Sequence, residues 1–264
     1  MTKDLPRLIT LTSDLGAQDP ISASIKGVLF SKCPGVRVVD MGNEISCHSV
    51  REAAMFLLGA VPFYPKGTVH LVTIAPGPDP VAIKIAGQYI VCPDNGVATL
   101  LGRHFEIEET RSVTIPEEIS SRTCQIFYGR ELFAPVAASL ADTGDFAAVG
   151  PVLEKPAEMD WPEPTLVGKD WLDGTVVHIN RFGNLITNIH RSHLEDFEVE
   201  RVAVAGSSIH GLSLAYDDVE PKRPLALVGH YGFLEIAYRG DRADQRLSAV
   251  SDSQIRLFLR KKGT

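Results

Sequence analysis

Over the first 150 residues, short and nearly unbroken apolar runs alternate with stretches whose apolar residues recur every three or four positions. The runs LITLT (8–12), VRVVDM (36–41), GTVHLVTIA (67–75), VAIKIAG (81–87) and QYIVCP (88–93) are rich in β-branched residues and close on turn-forming ones. Each predicts a strand. Ile21, Ile25, Val28 and Leu29 predict a helix over 21–32, stopped by Cys-Pro-Gly. SVREAAMFLLGAVPFY predicts an amphipathic helix with Ser49 as N-cap and Glu52, three residues on, completing a capping box. A further helix is expected at about 131–142, with Pro135 in its first turn. Strands alternating with helices imply a mainly parallel sheet covered on both faces, an α/β domain over 1–150.

The texture then changes. PVLEKPAEMDWPEPTLV (151–167) is rich in proline and acid and reads as a linker. DGTVVHIN, NLITNIH, RVAVAG, PLALVGHYGFLEIAY and SQIRLFL follow as β-like runs with little helical patterning. They predict a small antiparallel β domain over 168–264.

Composition narrows the classes. The chain of 264 residues is 44% apolar and 22% charged, ordinary for a soluble globular protein. No stretch reaches the length of a membrane span, and MTKDLPRLIT lacks the apolar core of a signal peptide. Cys33, Cys47, Cys92 and Cys124 stand far apart, so reduced thiols and a cytoplasmic location are expected. A net charge of −7 argues against a nucleic-acid surface. His190 and His193 are three apart but have no ligand partner at a recognisable spacing, so no metal site is expected.

Four stretches put polar groups at the ends of predicted strands. Asp14, in Ser-Asp-Leu-Gly, has the two oxygens needed to take both hydroxyls of a ribose, or it caps an Asx turn. Pro93-Asp94-Asn95-Gly96 reads first as a structural turn. Phe127-Tyr128-Gly129-Arg130 enters a helix, where free N–H groups beside a glycine suit an anion; the alternative is a plain helix start with a solvated Arg. In Asn180-Arg181-Phe182-Gly183-Asn184 two amides near an aromatic ring suit a purine, and a hairpin turn is the alternative. His48, His178 and His230 read most simply as ordinary, partly buried imidazoles.

Taken in order, ITLTSDLGAQD, KGVLFSKCPGVRVVD, SVREAAMFLLGAVPFYPKGTVHLVTIAPG, PDNGVATLL, FYGRELFAPVAA and RFGNLITNIHR resemble one family, over about residues 8–258. It is the S-adenosylmethionine hydroxide adenosyltransferases, which also contains the S-adenosylmethionine-dependent fluorinase and chlorinase. The resemblance implies an N-terminal α/β domain, a C-terminal antiparallel β-barrel-like domain, and a homotrimer with substrate sites at subunit interfaces. The implied reaction is attack of a small anion on ribose C5′ with loss of L-methionine. S-adenosylmethionine is then a substrate, and no cofactor is needed. By the same resemblance Asp14 grips the ribose, Phe127, Phe182 and Asn184 form the nucleoside pocket with Asn184 reading adenine, and Tyr216 is the adenine-stacking aromatic. Asn180 stands where the family has an aspartate for the methionine ammonium. His48 and His230 join the substrate-binding set, and Tyr128 and Gly129 the catalytic one.

The chain departs from the pattern of the hydroxide-using members, an Asp–Arg–His set that positions water. The Asp position is Ala75, no Arg lies between His70 and Arg103, and the His position is Tyr128. Water has a pKa near 15.7, so without a base little hydroxide exists at neutral pH, whereas chloride is already an anion. Three expectations follow. One is an adenosine-forming hydrolase with His48, Asp79 or Tyr128 as substitute water-positioning group. The second is an adenosyl halide synthase using chloride, for which Gly129 leaves room. The third is a binding protein for S-adenosylmethionine or adenosine without turnover.

Overall fold

The computed structural model describes residues 6–75, 79–120 and 127–263. The chain divides into two compact units, Met1–Met159 and Asp160–Thr264.

The first unit contains β1 (Leu8–Ser13), α1 (Ile21–Lys32), β2 (Arg37–Gly42), α2 (Val50–Ala60), β3 (Val69–Thr73), β4 (Pro80–Ile85), β5 (Gln88–Pro93), α3 (Thr99–His104), β6 (Ile107–Ser112), α4 (Glu117–Ser120) and α5 (Ala134–Thr143). Its six-stranded sheet has the order β2-β1-β3-β5-β4-β6. β1–β2, β1–β3 and β3–β5 are parallel, while β4 runs antiparallel to both β5 and β6. The sheet is therefore mixed. The antiparallel edge arises at Ala86-Gly87, where two successive residues with positive φ (52° and 73°) close a tight hairpin instead of a crossover. Nothing in VAIKIAGQYIVCP except its short loop signals that reversal. α3, β6 and α4 also lie in stretches too short or too charged for hydrophobic periodicity to reveal.

Alternation along β1 and β3 separates two faces. Ile9, Leu11, Val69 and Leu71 join Ile25 and Leu29 of α1 and Ala134, Ala137, Ala138 and Ala141 of α5 in one core. Small alanines let α5 approach the sheet closely. On β1 and β3 the alternate positions include Thr10, Thr12 and His70, all fully buried. Gln88 Nε2 donates to the Val61 carbonyl, so Gln88 Oε1 must accept from His70 Nε2–H at 2.6 Å, and His70 Nδ1 accepts from the Thr10 hydroxyl at 2.8 Å. The imidazole is thereby held neutral in a defined tautomer. The expected capping box is only half present. Ser49 Oγ accepts from Glu52 N, but the Glu52 carboxylate accepts from Ser46 N instead of returning to the cap. The tight bend at His48 draws Ser46 into its reach.

The second unit contains β7 (Thr165–Val167), β8 (Trp171–Ile179), β9 (Leu185–His190), β10 (Phe197–Val204), β11 (Ser207–His210), β12 (Pro224–Val228), β13 (Phe233–Tyr238), α6 (Ala243–Leu247) and β14 (Gln254–Lys261). The order is β11-β10-β14-β8-β9-β13-β12, with β7 on β8, and every pairing is antiparallel. Ser213 N donates to Ala226 O across the two ends, so the sheet curls into a nearly closed barrel. Val176, Leu185, Val202, Leu234, Ile236 and Leu257 fill it. Asn188 Oδ1 accepts from Thr175 N and its Nδ2 donates to Pro162 O, tying the proline-rich entry segment to the barrel.

Burial lowers the pKa of His70 from 6.5 to about 4. The unfolded chain then binds the proton more readily, so this group's contribution is full above pH 6.5 and is lost as pH falls towards 4. The expected loss is about 3 kcal/mol of unfolding free energy across that window. Imidazole titration by NMR together with denaturant unfolding at pH 7 and pH 4.5 checks it; a His70 titrating near 6.5 in the folded protein would refute it.

Candidate functional site

Each unit carries its own cluster of the residues singled out above. In the first unit the cluster forms at the carboxyl ends of the parallel strands, where α/β sheets leave a crevice. Parallel register sets Ser13 opposite Thr73. Ser13 Oγ donates to Asn43 Oδ1, and Asn43 Nδ2 donates to Asp40 Oδ1, which fastens the β1 and β2 ends together. Asp40 is held below the usual carboxylate range by hydrogen bonds from Lys26 and Asn43, which outweigh its desolvation.

Asp14 follows Ser13. Its side chain is only 8% exposed, and Oδ2 accepts from the backbone N–H of His48 at 2.9 Å. His48 has φ of 60° and puts its own Nδ1 3.7 Å from the same oxygen. No described residue donates to Asp14 Oδ1. The carboxylate is thus a cap on the 46–49 bend with one oxygen in use and one available. Cys47 joins this group: one ligand atom each of Asp14, Cys47 and His48 lies within 4.8 Å of the others. Three such donors could hold a thiophilic divalent ion. Spacing alone could not reveal this, because the carboxylate comes from a different strand end.

Thr12 and Thr73 carry buried hydroxyls without a hydrogen-bond partner. Thr73 also touches the Phe127–Gly129 stretch. A Cβ on Gly129 would stand 3.1 Å from Thr73 Cγ2 and 3.0 Å from Phe127 Cζ, so the glycine lets the chain pass close to the strand end. Arg130 N and Glu131 N both donate to Phe127 O, opening a π-helical turn over Gly129–Phe133 that runs into α5. Such turns are common at functional sites. Arg130 pairs with Glu131 at 2.6 Å instead of standing free in solvent, and Tyr128 is half-exposed.

Ala75, where the resemblance leads one to expect an Asp, has φ of 53°. That left-handed geometry costs a β-carbon residue roughly 1 kcal/mol and suits Asp or Asn better than Ala. Asp79 is exposed; Pro76, Gly77, Pro78 and Cys124 fall outside the described residues.

Asp94-Asn95-Gly96 is structural. Asp94 Oδ1 accepts from Ala157 N, Asn95 Nδ2 donates to Ile74 O, and Asn95 Oδ1 accepts from Val97 N. The stretch clamps the end of β3, just before Ala75, to the segment that follows β6.

In the second unit Asn180–Asn184 is a tight turn. Asn180 Oδ1 accepts from Phe182 N and Asn184 N, and Gly183 N donates to Asn180 O. The amide oxygen expected to replace a methionine-binding aspartate is therefore already committed to two backbone donors. Phe182 is 75% exposed at the tip of the turn, whereas Asn184 is 6% exposed. Asn184 Nδ2 donates to Glu235 Oε1 at 2.7 Å, and the Tyr216 hydroxyl donates to the same oxygen. Burial, then the Glu235 hydrogen bond, push the Tyr216 phenol well above its ordinary pKa. His230 is exposed and leans on Tyr231, with ring centroids 3.8 Å apart. Glu235 was not among the candidates; in FLEIAY it is one polar residue in an apolar strand, with only its isolation as a signal.

The chain matches the SAM hydroxide adenosyltransferase N-terminal domain over residues 9–150 and the corresponding C-terminal domain over 174–256. The chain belongs to the SAM hydroxide adenosyltransferase family. Among its relatives is the (R)-S-adenosyl-L-methionine hydrolase of Thermus thermophilus, 32% identical over 96% of this chain and 100% of that one. The fluorinase of an Actinoplanes species is 31% identical over 71% of this chain and 73% of its own. An uncharacterized conserved protein from Thermotoga maritima shares the fold with a TM-score of 0.83 at 28% identity, covering 95% and 99% of the two chains. Among the described residues no helix is long and apolar enough to cross a membrane.

Gly96 tests the assignment of the clamp. At φ of 85° a Cβ there would fall 2.2 Å from Met159 N. Gly96→Ala is expected to lower the unfolding free energy by about 2–4 kcal/mol. Denaturant unfolding reads this directly, and a change below 1 kcal/mol (roughly the strain of the φ alone) would contradict the close packing.

Proposed function

We propose that this chain cleaves S-adenosyl-L-methionine by substitution at ribose C5′, with water as the source of the nucleophile, giving adenosine and L-methionine. The observation that carries the reading is the similarity, along nearly the whole of both chains, to a protein named for that hydrolysis. Asp14, with one oxygen free and little solvent contact, supplies the expected grip on a ribose. The water oxygen bonds to C5′ as the C5′–S bond breaks, and its electron pair leaves on sulfur. The sulfonium departs as a neutral thioether, so the leaving group needs no acid. The protein must align the in-line path and strip water from the nucleophile.

The proton of the attacking water needs an acceptor. Ala75 and Tyr128 supply no carboxylate or imidazole at the family's positions. His48, fixed beside Asp14, is the imidazole that the fold brings to this cluster, and the base role is assigned to it. The family resemblance further supports a homotrimer in which the two clusters meet across subunit boundaries; the exposed rings of Tyr128, Phe182 and Tyr216 favour such a surface.

One observation favours chloride as a second nucleophile. Where Gly129 passes Thr73 at the end of β3 the touching groups are uncharged, and a halide needs only desolvation and donors. Incubation with S-adenosylmethionine, with and without chloride, followed by mass analysis of the nucleosides, separates the readings. Adenosine under both conditions supports hydrolysis, 5′-chloro-5′-deoxyadenosine only with chloride supports the halide reaction, and no product with retained binding leaves a binding protein. Asp14→Ala is expected to weaken adenosine binding about 100-fold, through loss of charge-assisted hydrogen bonds. His48→Gln should keep binding and lower kcat by roughly 100-fold or more. Calorimetry and steady-state rates decide both; unchanged affinity in Asp14→Ala removes the ribose assignment.

A further inference from the structure

Glu235 is a charged residue that the reaction above does not employ. It sits on β13 at 1% exposure. Its neighbours Leu234 and Ile236 point into the barrel core, so Glu235 faces the opposite side, with Leu225, Leu227 and Ala237. There the turn Tyr216–Asp218 contributes the Tyr216 hydroxyl to it. No cation pairs with the carboxylate among the described residues. A buried, unpaired carboxylate costs several kcal/mol unless donors satisfy it. Two donors do so here, both on Oε1: Asn184 Nδ2 and the Tyr216 hydroxyl. The other oxygen lies against Gly229, where a Cβ would come within 2.7 Å of Oε2. The space for the carboxylate is thus provided by a glycine in the β12–β13 turn, and both its donors come from the stretches read as nucleoside-binding.

An ionised carboxylate only accepts hydrogen bonds. An amide next to it must therefore present its NH2, because the flipped amide would set oxygen against oxygen. The carboxylate therefore holds the amide in one sense, with Nδ2 on Glu235 Oε1 and Oδ1 left as an acceptor.

We propose that Glu235 is a positioning residue that locks the Asn184 amide with its acceptor oxygen towards the base, so that the site selects purines bearing a 6-amino group over those bearing a 6-oxo group. An exocyclic amine donates to Oδ1. A 6-oxo group would place a second acceptor there and leave both unpaired, a mismatch that recognition sites reject strongly. The assignment rests on the reading of Asn180–Asn184 as the nucleoside-binding stretch, and it adds the base selectivity and the group that sets it.

The test compares adenosine with inosine by calorimetry on the full-length protein. Wild type is expected to bind adenosine at least tenfold more tightly. Glu235→Gln keeps the shape but offers an NH2, so Asn184 is free to turn; the ratio should fall to threefold or less. Tyr216→Phe leaves the carboxylate in place and is expected to weaken both nucleosides while keeping the ratio at tenfold; a ratio lost in Glu235→Gln but kept in Tyr216→Phe is what a merely structural role for Glu235 does not produce. Thermal unfolding confirms that each variant is folded. Should Glu235→Gln unfold, the side-chain amide protons of Asn184 in wild type serve instead: slowed exchange supports the lock, and exchange as fast as for a solvent-exposed amide overturns it. If wild type discriminates and folded Glu235→Gln discriminates equally, this assignment falls alone. If wild type binds neither nucleoside, the nucleoside reading falls and takes this one with it.

Discussion

The parallel pairing of β1 with β3 is the constraint on which the first unit depends. It sets Ser13 level with Thr73. The residues that leave those strand ends, Asp14 on one side and Ala75 on the other, then emerge at the same edge of the sheet. Parallel strands align their carboxyl ends, and the fully buried residues below them (Ile9, Leu11, Val69, Leu71) make that edge rigid. On the opposite face the Thr10–His70–Gln88 chain pins the same two strands to β5 through side-chain hydrogen bonds. A one-residue slip of β1 would bury Asp14 without a partner and break that chain, so the register is over-determined.

Most of the architecture was legible because the signals were strong and local. β1 and α1 follow apolar periodicity to within a residue of the expected ends, and Ser49 caps α2 as its side chain requires, but α2 stops at Ala60, four residues short of the expected stretch, where Pro62 turns the chain into a 3-10 turn. What escaped was non-local. The direction of β4 depends on the dihedral angles of Ala86 and Gly87, since an Ala-Gly turn gives weaker warning than Asn-Gly. The grouping of Cys47 and His48 with Asp14 depends on a strand crossing. Asn180 was legible as a turn residue and as a ligand residue; the hydrogen bonds to Phe182 N and Asn184 N show that the turn takes its oxygen first. Glu235 escaped because a lone acid in an apolar strand reads as a flaw in the pattern until its donors are seen.

Both clusters contain local conflicts, though such conflicts also occur elsewhere, as at Ala86 in the β4–β5 hairpin. Ala75 and His48 hold left-handed backbone, Thr12 and Thr73 bury unsatisfied hydroxyls, and Glu235 buries a carboxylate without a cation. Each costs on the order of 1 kcal/mol or more. The clamp of Asp94 and Asn95 and the turn bonds of Asn180 are the compensating elements. In the first unit the clamp holds the end of β3 just before Ala75, and in the second the turn bonds fix the chain at Asn184, each as pre-organisation requires.

The charge on this edge also bears on the proposed nucleophile. Asp14 already places one negative charge there. A second carboxylate at position 75, some 5 Å from an approaching anion, would repel it by about 3 kcal/mol at an effective dielectric of 20. For water that repulsion is absent until the proton leaves, and a carboxylate helps by accepting it. For an anion it is present throughout the approach and is of no use. Ala75 supplies no group of that kind, although its left-handed backbone would suit Asp or Asn better than Ala. The sulfonium's positive charge is then the main attraction felt by the incoming nucleophile. On the proposed reading, hydrolysis draws its proton acceptor from elsewhere in the cluster, and His48, anchored through its backbone to Asp14, is the group proposed for that task.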